Sequence, residues 1–397
     1  MNKKLTLLAI TTASLVTLNA CNSSDNNSFA QNTASKAKLG EELFNDDSLS
    51  RDGNQSCATC HNPEHAFIDD RNNPTSHDDS TPGSVSEGQD DTALGDRNTP
   101  TATYAAFIPD FHFDASEDDG LFKGGQFLDG REKNLQGQAG QPFLNPVEMQ
   151  TTKADVVAKV KNKYGNSMRE NYGDDIFNTT DKAYDAITDS IAKFEKTEEF
   201  APFDSKFDRV LKGNDAFTSL EAKGLELFKA EDKGNCAACH PVPTALSSKE
   251  DSTFTDFTYD NLGVPRHDIV RSLNNNNGKG FDDDFVDNGL FENPAVNDPE
   301  LKGAFRVSTL RNIAVTAPYM HNGVFKDLKT VVHFYNTRDV DGAINPETWD
   351  EWRASEVDVT KNTEELGDLK LTDHEEDALV AFMKTLTDSR YEHLIPE

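Results

Sequence analysis

Hydrophobic residues first concentrate between Leu5 and Leu18, directly behind Lys3 and Lys4. That stretch is short for a bilayer span and has the charged-then-apolar form of a signal peptide over residues 1–20. It ends at Leu18-Asn19-Ala20-Cys21, which resembles a lipoprotein cleavage box with the lipid on the Cys21 thiol. Ordinary cleavage nearby, leaving Cys21 incidental, is the alternative. Asn and Ser then replace apolar residues, so residues 21–34 read as a flexible tether. No later segment is apolar enough to cross a membrane. The working body is therefore expected outside the cytoplasm, in the periplasm, touching a membrane only through a lipid anchor.

Helical periodicity dominates the rest. Lys182 to Lys196 places Ile187, Ile191 and Phe194 on one face. Thr372 to Leu386 opens with the capping pair Thr372-x-x-Glu375 and turns Leu379, Phe382, Met383 and Leu386 inward. Asp327 to Asn336 carries Leu328, Val331, Val332 and Tyr335 at the i, i+3, i+4, i+7 spacing, with His333 on the opposite side. Two further segments resemble each other: Gly40-Glu41-Glu42-Leu43-Phe44, and Gly224-Leu225-Glu226-Leu227-Phe228 behind the capping pair Thr218-x-x-Glu221. Little reads as strand. Long polar loops, residues 69–96 and 274–297, read as solvated surface. Asp282 to Gly289 has the residue types of a calcium loop but misses its twelve-residue spacing.

Charge narrows the function. Seventy acidic against 39 basic side chains give a net charge of −31, which excludes a protein that tracks nucleic-acid phosphates. The acidity fits either a well-solvated surface or a face that steers a basic partner. Four of the five cysteines change the picture more. They form Cys57-Ala58-Thr59-Cys60-His61 and Cys236-Ala237-Ala238-Cys239-His240. Two thiols one turn apart can add to the vinyl groups of a haem, and the adjacent imidazole then becomes the proximal iron ligand. A joint four-cysteine zinc site, redox dithiols and disulfides are the competing readings, and each leaves His61 and His240 unexplained. The expected fold is mainly α. It comprises two cytochrome c-like haem domains, residues 35–200 and 201–397, related by internal duplication and joined by long irregular loops.

From Leu39 to Leu386 the chain resembles the bacterial di-haem cytochrome c peroxidase/MauG family. The matching stretches are Leu49-Ser50-Arg51-Asp52-Gly53, Arg97-Asn98-Thr99-Pro100-Thr101, Asp129-Gly130-Arg131, Asn145-Pro146-Val147-Glu148-Met149 and Phe203-Asp204. Thr309-Leu310-Arg311-Asn312, leading into Thr316-Ala317-Pro318-Tyr319-Met320-His321-Asn322-Gly323, completes the series. The resemblance implies that the His61 haem is the peroxidatic one and the His240 haem transfers electrons. It implies Glu148 as the distal acid–base group, a solvated carboxylate being its bland alternative, with Gln138 as the distal glutamine. Asn98, Thr316 and Pro318 match positions that hold one calcium ion through oxygen. Arg131 and Arg306 match arginines near the haems, where each would offset propionate charge or simply pair with an acid. Tyr335 matches the sixth ligand of the second haem, tyrosine in MauG and methionine in the peroxidases. A tyrosine that only packs is the alternative, and Met320 and Met383 are rival ligands.

Two departures qualify the match. The family carries a tryptophan between the haems where this chain has Leu128, beside Phe127, and leucine has no ring to relay an electron. His77 falls where a loop histidine closes the first haem in resting peroxidases, but its loop is longer and dissimilar; an exposed histidine is the alternative. The expected function is reduction of hydrogen peroxide to water, fed by a small cytochrome c or copper protein. A MauG-like oxidase acting on Trp or Tyr of a partner protein is the alternative, and a non-catalytic di-haem electron carrier is a third.

Overall fold

The computed structural model describes residues 23–77, 81–90, 93–116, 120–244, 252–277 and 284–396. The signal segment and Cys21 lie outside them, as does part of the Asp282–Gly289 loop. Ten α-helices carry the described fold. They are α1 (Ser23–Phe44), α2 (Cys57–Cys60), α3 (Leu135–Leu144), α4 (Lys153–Tyr172), α5 (Thr180–Phe194), α6 (Lys206–Leu211), α7 (Ser219–Lys229), α8 (Asp268–Asn277), α9 (Leu328–Thr337) and α10 (Asp373–Lys384). Two small antiparallel pairs join them: β1 (His112–Asp114) with β2 (Leu121–Lys123), and β3 (Tyr259–Asp260) with β4 (Phe305–Arg306).

Burial of apolar faces builds two cores. The first gathers Leu39, Leu43 and Phe44 of α1, Phe143 of α3, Val156 and Val160 of α4, and Ile187, Ile191 and Phe194 of α5. The second gathers Leu227 and Phe228 of α7, Leu328 and Val332 of α9, and Leu379, Phe382 and Met383 of α10. Each core depends on one glycine at a helix crossing. A Cβ on Gly40 would lie 1.9 Å from the Ser190 carbonyl oxygen, and one on Gly224 would lie 1.9 Å from that of Ala378. Only glycine lets α1 approach α5, and α7 approach α10, this closely. The capping boxes at Thr218 and Thr372 both form, which sets where α7 and α10 begin.

Residues 23–34, expected as a tether, have helical backbone as the first part of α1. The stretch holds neither Pro nor Gly before Gly40, so a helix packed at Leu39–Phe44 extends backwards at little cost per residue. Helix α4 is also absent from the periodicity reading. Its buried apolar positions are only Val156, Val160 and Met168, too sparse for a clear stripe.

Candidate haem sites and the distal carboxylate

Each Cys-x-x-Cys-His unit sits on a short helical turn against its own core, with Cys57 packed on the first and Cys236 on the second. Burial pushes the thiols of Cys60, Cys236 and Cys239 up to about 12 and raises Cys57 further still. Such thiols are not reactive thiolates. All four are free of disulfides. Among the described residues the two units do not converge on one metal-binding cluster, so a joint four-cysteine zinc site is not built.

The histidines are held alike. His61 Nδ1 lies 3.0 Å from the Phe67 carbonyl oxygen, and His240 Nδ1 lies 2.7 Å from that of Phe254. A carbonyl only accepts, so Nδ1 carries the proton in both rings and Nε2 is left with its lone pair. Burial also lowers both pKa values and keeps the imidazoles neutral. Phe67 and Phe254 share left-handed backbone, φ +54° in each, and it is this bend that turns the carbonyl onto the ring. Neutral imidazoles with free Nε2 atoms beside paired thiols fit covalent haem.

The second site opens on a cavity of about 300 Å³ lined by Cys236, Cys239, His240, Leu310, Met320, Tyr335 and Met383. Leu328, Val331, Val332 and Tyr335 of α9 all face it, which is the apolar stripe of that helix. His333 turns away to Glu376, 2.9 Å from its Oε1. Arg306 also lines the cavity, 8% exposed; among the described residues its Nε is buried without a partner, and its Nη1 donates to the Val307 carbonyl at 3.3 Å. A buried guanidinium without a carboxylate is costly, and a haem propionate is an anion that would satisfy it. Leu128 lines the same cavity, with its carbonyl 2.7 Å from the Arg306 amide nitrogen.

At the first site the turn after α3 brings Glu148 inward, where its charge is felt at both Cys57 and Cys60. Burial raises its pKa, and Asn145 Nδ2 donates to Oε1 at 2.5 Å. Gln138 lies half-buried on α3, and no hydrogen bond joins it to Glu148. Arg131 is half-exposed, bonded to Asp129 at 2.5 Å and stacked over Phe127 at 4.2 Å, close enough for its charge to act on Glu148. His77 is half-buried rather than exposed, with its ring 6.2 Å from that of His267. Asn98, Thr316 and Pro318 share one small cavity with Asp69 and Ser86. Asn98 Nδ2 donates to the Ser84 carbonyl at 3.0 Å, so Oδ1 is the atom left to bind a cation.

One buried carboxyl escaped the sequence reading. Glu195 is 6% exposed, its Oε2 has no hydrogen-bond partner among the described residues, and burial pushes its pKa up to about 8 beside Cys57. The signal was available: Glu195 follows Ile191 by four positions, on the same inward stripe as Ile187.

Comparison with known proteins agrees with this geometry. A family profile described as di-haem cytochrome c peroxidase matches residues 34–216. The methylamine utilization protein MauG of Paracoccus denitrificans is 44% identical over 368 residues, covering 91% of this chain and 90% of that one. The cytochrome c551 peroxidase of Pseudomonas aeruginosa is 31% identical over 309 residues, covering 74% and 70%. The crystal structure of the diheme peroxidase BthA from Burkholderia thailandensis matches with a TM-score of 0.79 at 31% identity, covering 91% and 88%. With paired thiols and a neutral imidazole at each of two sites, and this likeness along nearly its whole length, the chain belongs to the di-haem cytochrome c peroxidase/MauG family.

Proposed function

We propose that the protein reduces hydrogen peroxide to water at the His61 site, with electrons entering at the His240 site from a small cytochrome c or copper protein. The observation that carries this is Glu148, a half-buried residue whose carboxyl is held by Asn145 beside the first pair of thiols. The haem supplies an iron centre at which a peroxide O–O bond can be broken. The protein then has to move a proton from one peroxide oxygen to the other, and a carboxyl whose pKa is raised by burial both accepts and releases it. Asn145 fixes Oε1, which leaves Oε2 to face the substrate. At the second site the Phe254 carbonyl orients His240; Arg306 would hold an anionic propionate, and Tyr335, which lines the same cavity, would be the sixth ligand. Peroxide consumption coupled to oxidation of a reduced donor tests the reading. A protein that passes electrons but leaves peroxide untouched would be a plain carrier.

A second reading, oxidation of a Trp or Tyr in a partner protein, is favoured by Tyr335 on the second cavity and by the extensive match to MauG. Mass spectrometry of a co-purified partner before and after peroxide would detect the covalent change. The proposal extends to one calcium ion on Asn98, Thr316 and Pro318, to export with Cys21 lipidated, and to duplication of two haem domains meeting near residue 200. Duplication is supported by the matching seats of Gly40 and Gly224 and by the matching carbonyls on His61 and His240.

A further inference from the structure

We propose that Tyr104 relays electrons between the two haem sites and hands its phenol proton to Asp388 as it does so. The inference rests on the peroxidase reading above. Tyr104 is 2% exposed and lines the cavity that holds Cys236, Cys239 and His240. Its own segment is tied to the first site: the Ala102 amide donates at 3.2 Å to the Phe67 carbonyl, the same oxygen that His61 Nδ1 holds. Thr101 Oγ1 donates at 2.5 Å to the neighbouring Ala66 carbonyl. The path from the His61 imidazole to the Tyr104 ring is thus two hydrogen bonds through one carbonyl and then two residues of backbone.

A phenol that loses an electron becomes a strong acid, so a relay tyrosine needs a base already in place. Tyr104 Oη lies 2.6 Å from Asp388 Oδ1, and Asp388 is fully buried. Asn312 Nδ2 donates to Asp388 Oδ2 at 2.8 Å, and Asn312 Oδ1 accepts from the Asp388 amide at 2.8 Å. The Arg311 guanidinium favours the charged carboxylate, and Asp204 opposes it. Burial pushes Asp388 up to about 6 and raises Tyr104 well above the usual phenol range. At neutral pH the carboxylate is therefore the base and the phenol keeps its proton.

The backbone adds an independent observation. Tyr104 has φ +61°, a region bulky residues rarely adopt. Asn312, φ +63°, occupies the corresponding place in the second half. Each residue opens a short helical turn three positions after a threonine whose hydroxyl donates to a carbonyl: Thr101 to Ala66, and Thr309 to Thr253. Asparagine adopts this conformation more readily than tyrosine, and Phe67, Phe203 and Phe254 share it, so the bend belongs to the local fold and fixes where the Tyr104 ring stands.

In the forward step Tyr104 gives one electron to the site oxidised by peroxide, and the phenol O–H bond breaks as the proton forms a new O–H bond on Asp388. The Tyr104 radical would then be reduced from the His240 side by an electron the donor protein supplies, as the proton returns; two such turns would deliver the two electrons that one peroxide takes up on becoming two waters. Hydrogen peroxide is the oxidant, and neither residue is consumed.

Freeze-quench EPR of the di-haem protein after mixing with hydrogen peroxide tests this, comparing the wild type with Tyr104→Phe and Asp388→Asn. Ring-deuterated tyrosine identifies the radical, and haem content and circular dichroism confirm folding. The wild type should show a tyrosine radical whose yield drops about tenfold in Tyr104→Phe. Oxidation of the second haem should slow by about the same factor in both variants, and Asp388→Asn should abolish its solvent deuterium effect. An undiminished radical and unchanged haem oxidation in Tyr104→Phe would overturn the relay. If peroxide alters neither haem spectrum in the wild type, the peroxidase reading falls. The relay is then decided by flash–quench oxidation with a ruthenium tris-bipyridine sensitiser, which needs no peroxide. A wild-type tyrosine radical lost in Tyr104→Phe supports the relay there, and its absence from the wild type or persistence in the variant overturns it.

Discussion

Glu148→Gln removes the ionisable carboxyl proton while keeping the shape of the side chain. Asn145 Nδ2 can still donate to the remaining carbonyl oxygen, as it does to Oε1 at 2.5 Å in the native protein. Loss of positioned acid–base catalysis costs about 10²- to 10⁴-fold, equivalent to about 2.7–5.5 kcal/mol of barrier. The surroundings of Glu148 decide where in that range the variant falls. Asp69 acts on Cys60 but is engaged by Arg71 at 2.6 Å. Glu195 acts on Cys57 and has an unpartnered oxygen, so it can carry residual proton traffic from its own side. The expected loss in kcat/KM for peroxide is therefore about 10²-fold, deepening when Glu195→Gln is added. Stopped-flow absorbance of the first haem on mixing with peroxide measures the step directly. Thermal stability provides the control. The native pKa of Glu148 is raised by burial, so the folded state favours the neutral form, and that stabilisation is lost as pH rises through the folded value. A neutral glutamine should leave the melting temperature unchanged in acid and raise it in alkali. Wild-type turnover in a folded Glu148→Gln variant would refute the assignment.

Replacing Cys57 and Cys60 together by alanine should remove one of two covalent haems and all peroxide turnover, measured by the alkaline pyridine spectrum and a peroxide electrode. Tyr335→Phe should make the second haem high-spin or recruit a new ligand, read by EPR and resonance Raman; an unaltered low-spin spectrum would return Met320 or Met383 as the ligand. Glu195 is pushed up to about 8 by burial, against an unfolded value of about 4.3. Its contribution to stability is thus full below the unfolded value and lost as pH rises through about 8. Glu195→Gln should flatten the fall in melting temperature between about pH 5 and pH 9. Gly224→Ala drives a methyl into the Ala378 carbonyl and should cost about 1–3 kcal/mol in urea unfolding, whereas Gly213→Ala, which meets nothing within 4 Å but has φ +74°, should cost only the strain of its backbone.

The parts of this molecule set by local spacing were legible in the sequence. Thiols one turn apart with an adjacent imidazole, and threonine with glutamate three positions on, depend on bond lengths and helix pitch alone, so both read directly. The face of α9 that carries Tyr335 could be read because a period of 3.6 residues needs no knowledge of the neighbour it meets. What the tertiary structure decided are properties of pairs brought together from afar. Glu148 owes its raised pKa to desolvation by other elements, and among the described residues the buried Arg306 Nε has no partner. His77 meets His267 across 190 positions of sequence, and Tyr104 meets Asp388 across 284. A charge or a phenol acquires chemistry from the dielectric and partners around it. Periodicity reports which way a side chain points, and only the closed fold determines what stands there to receive it.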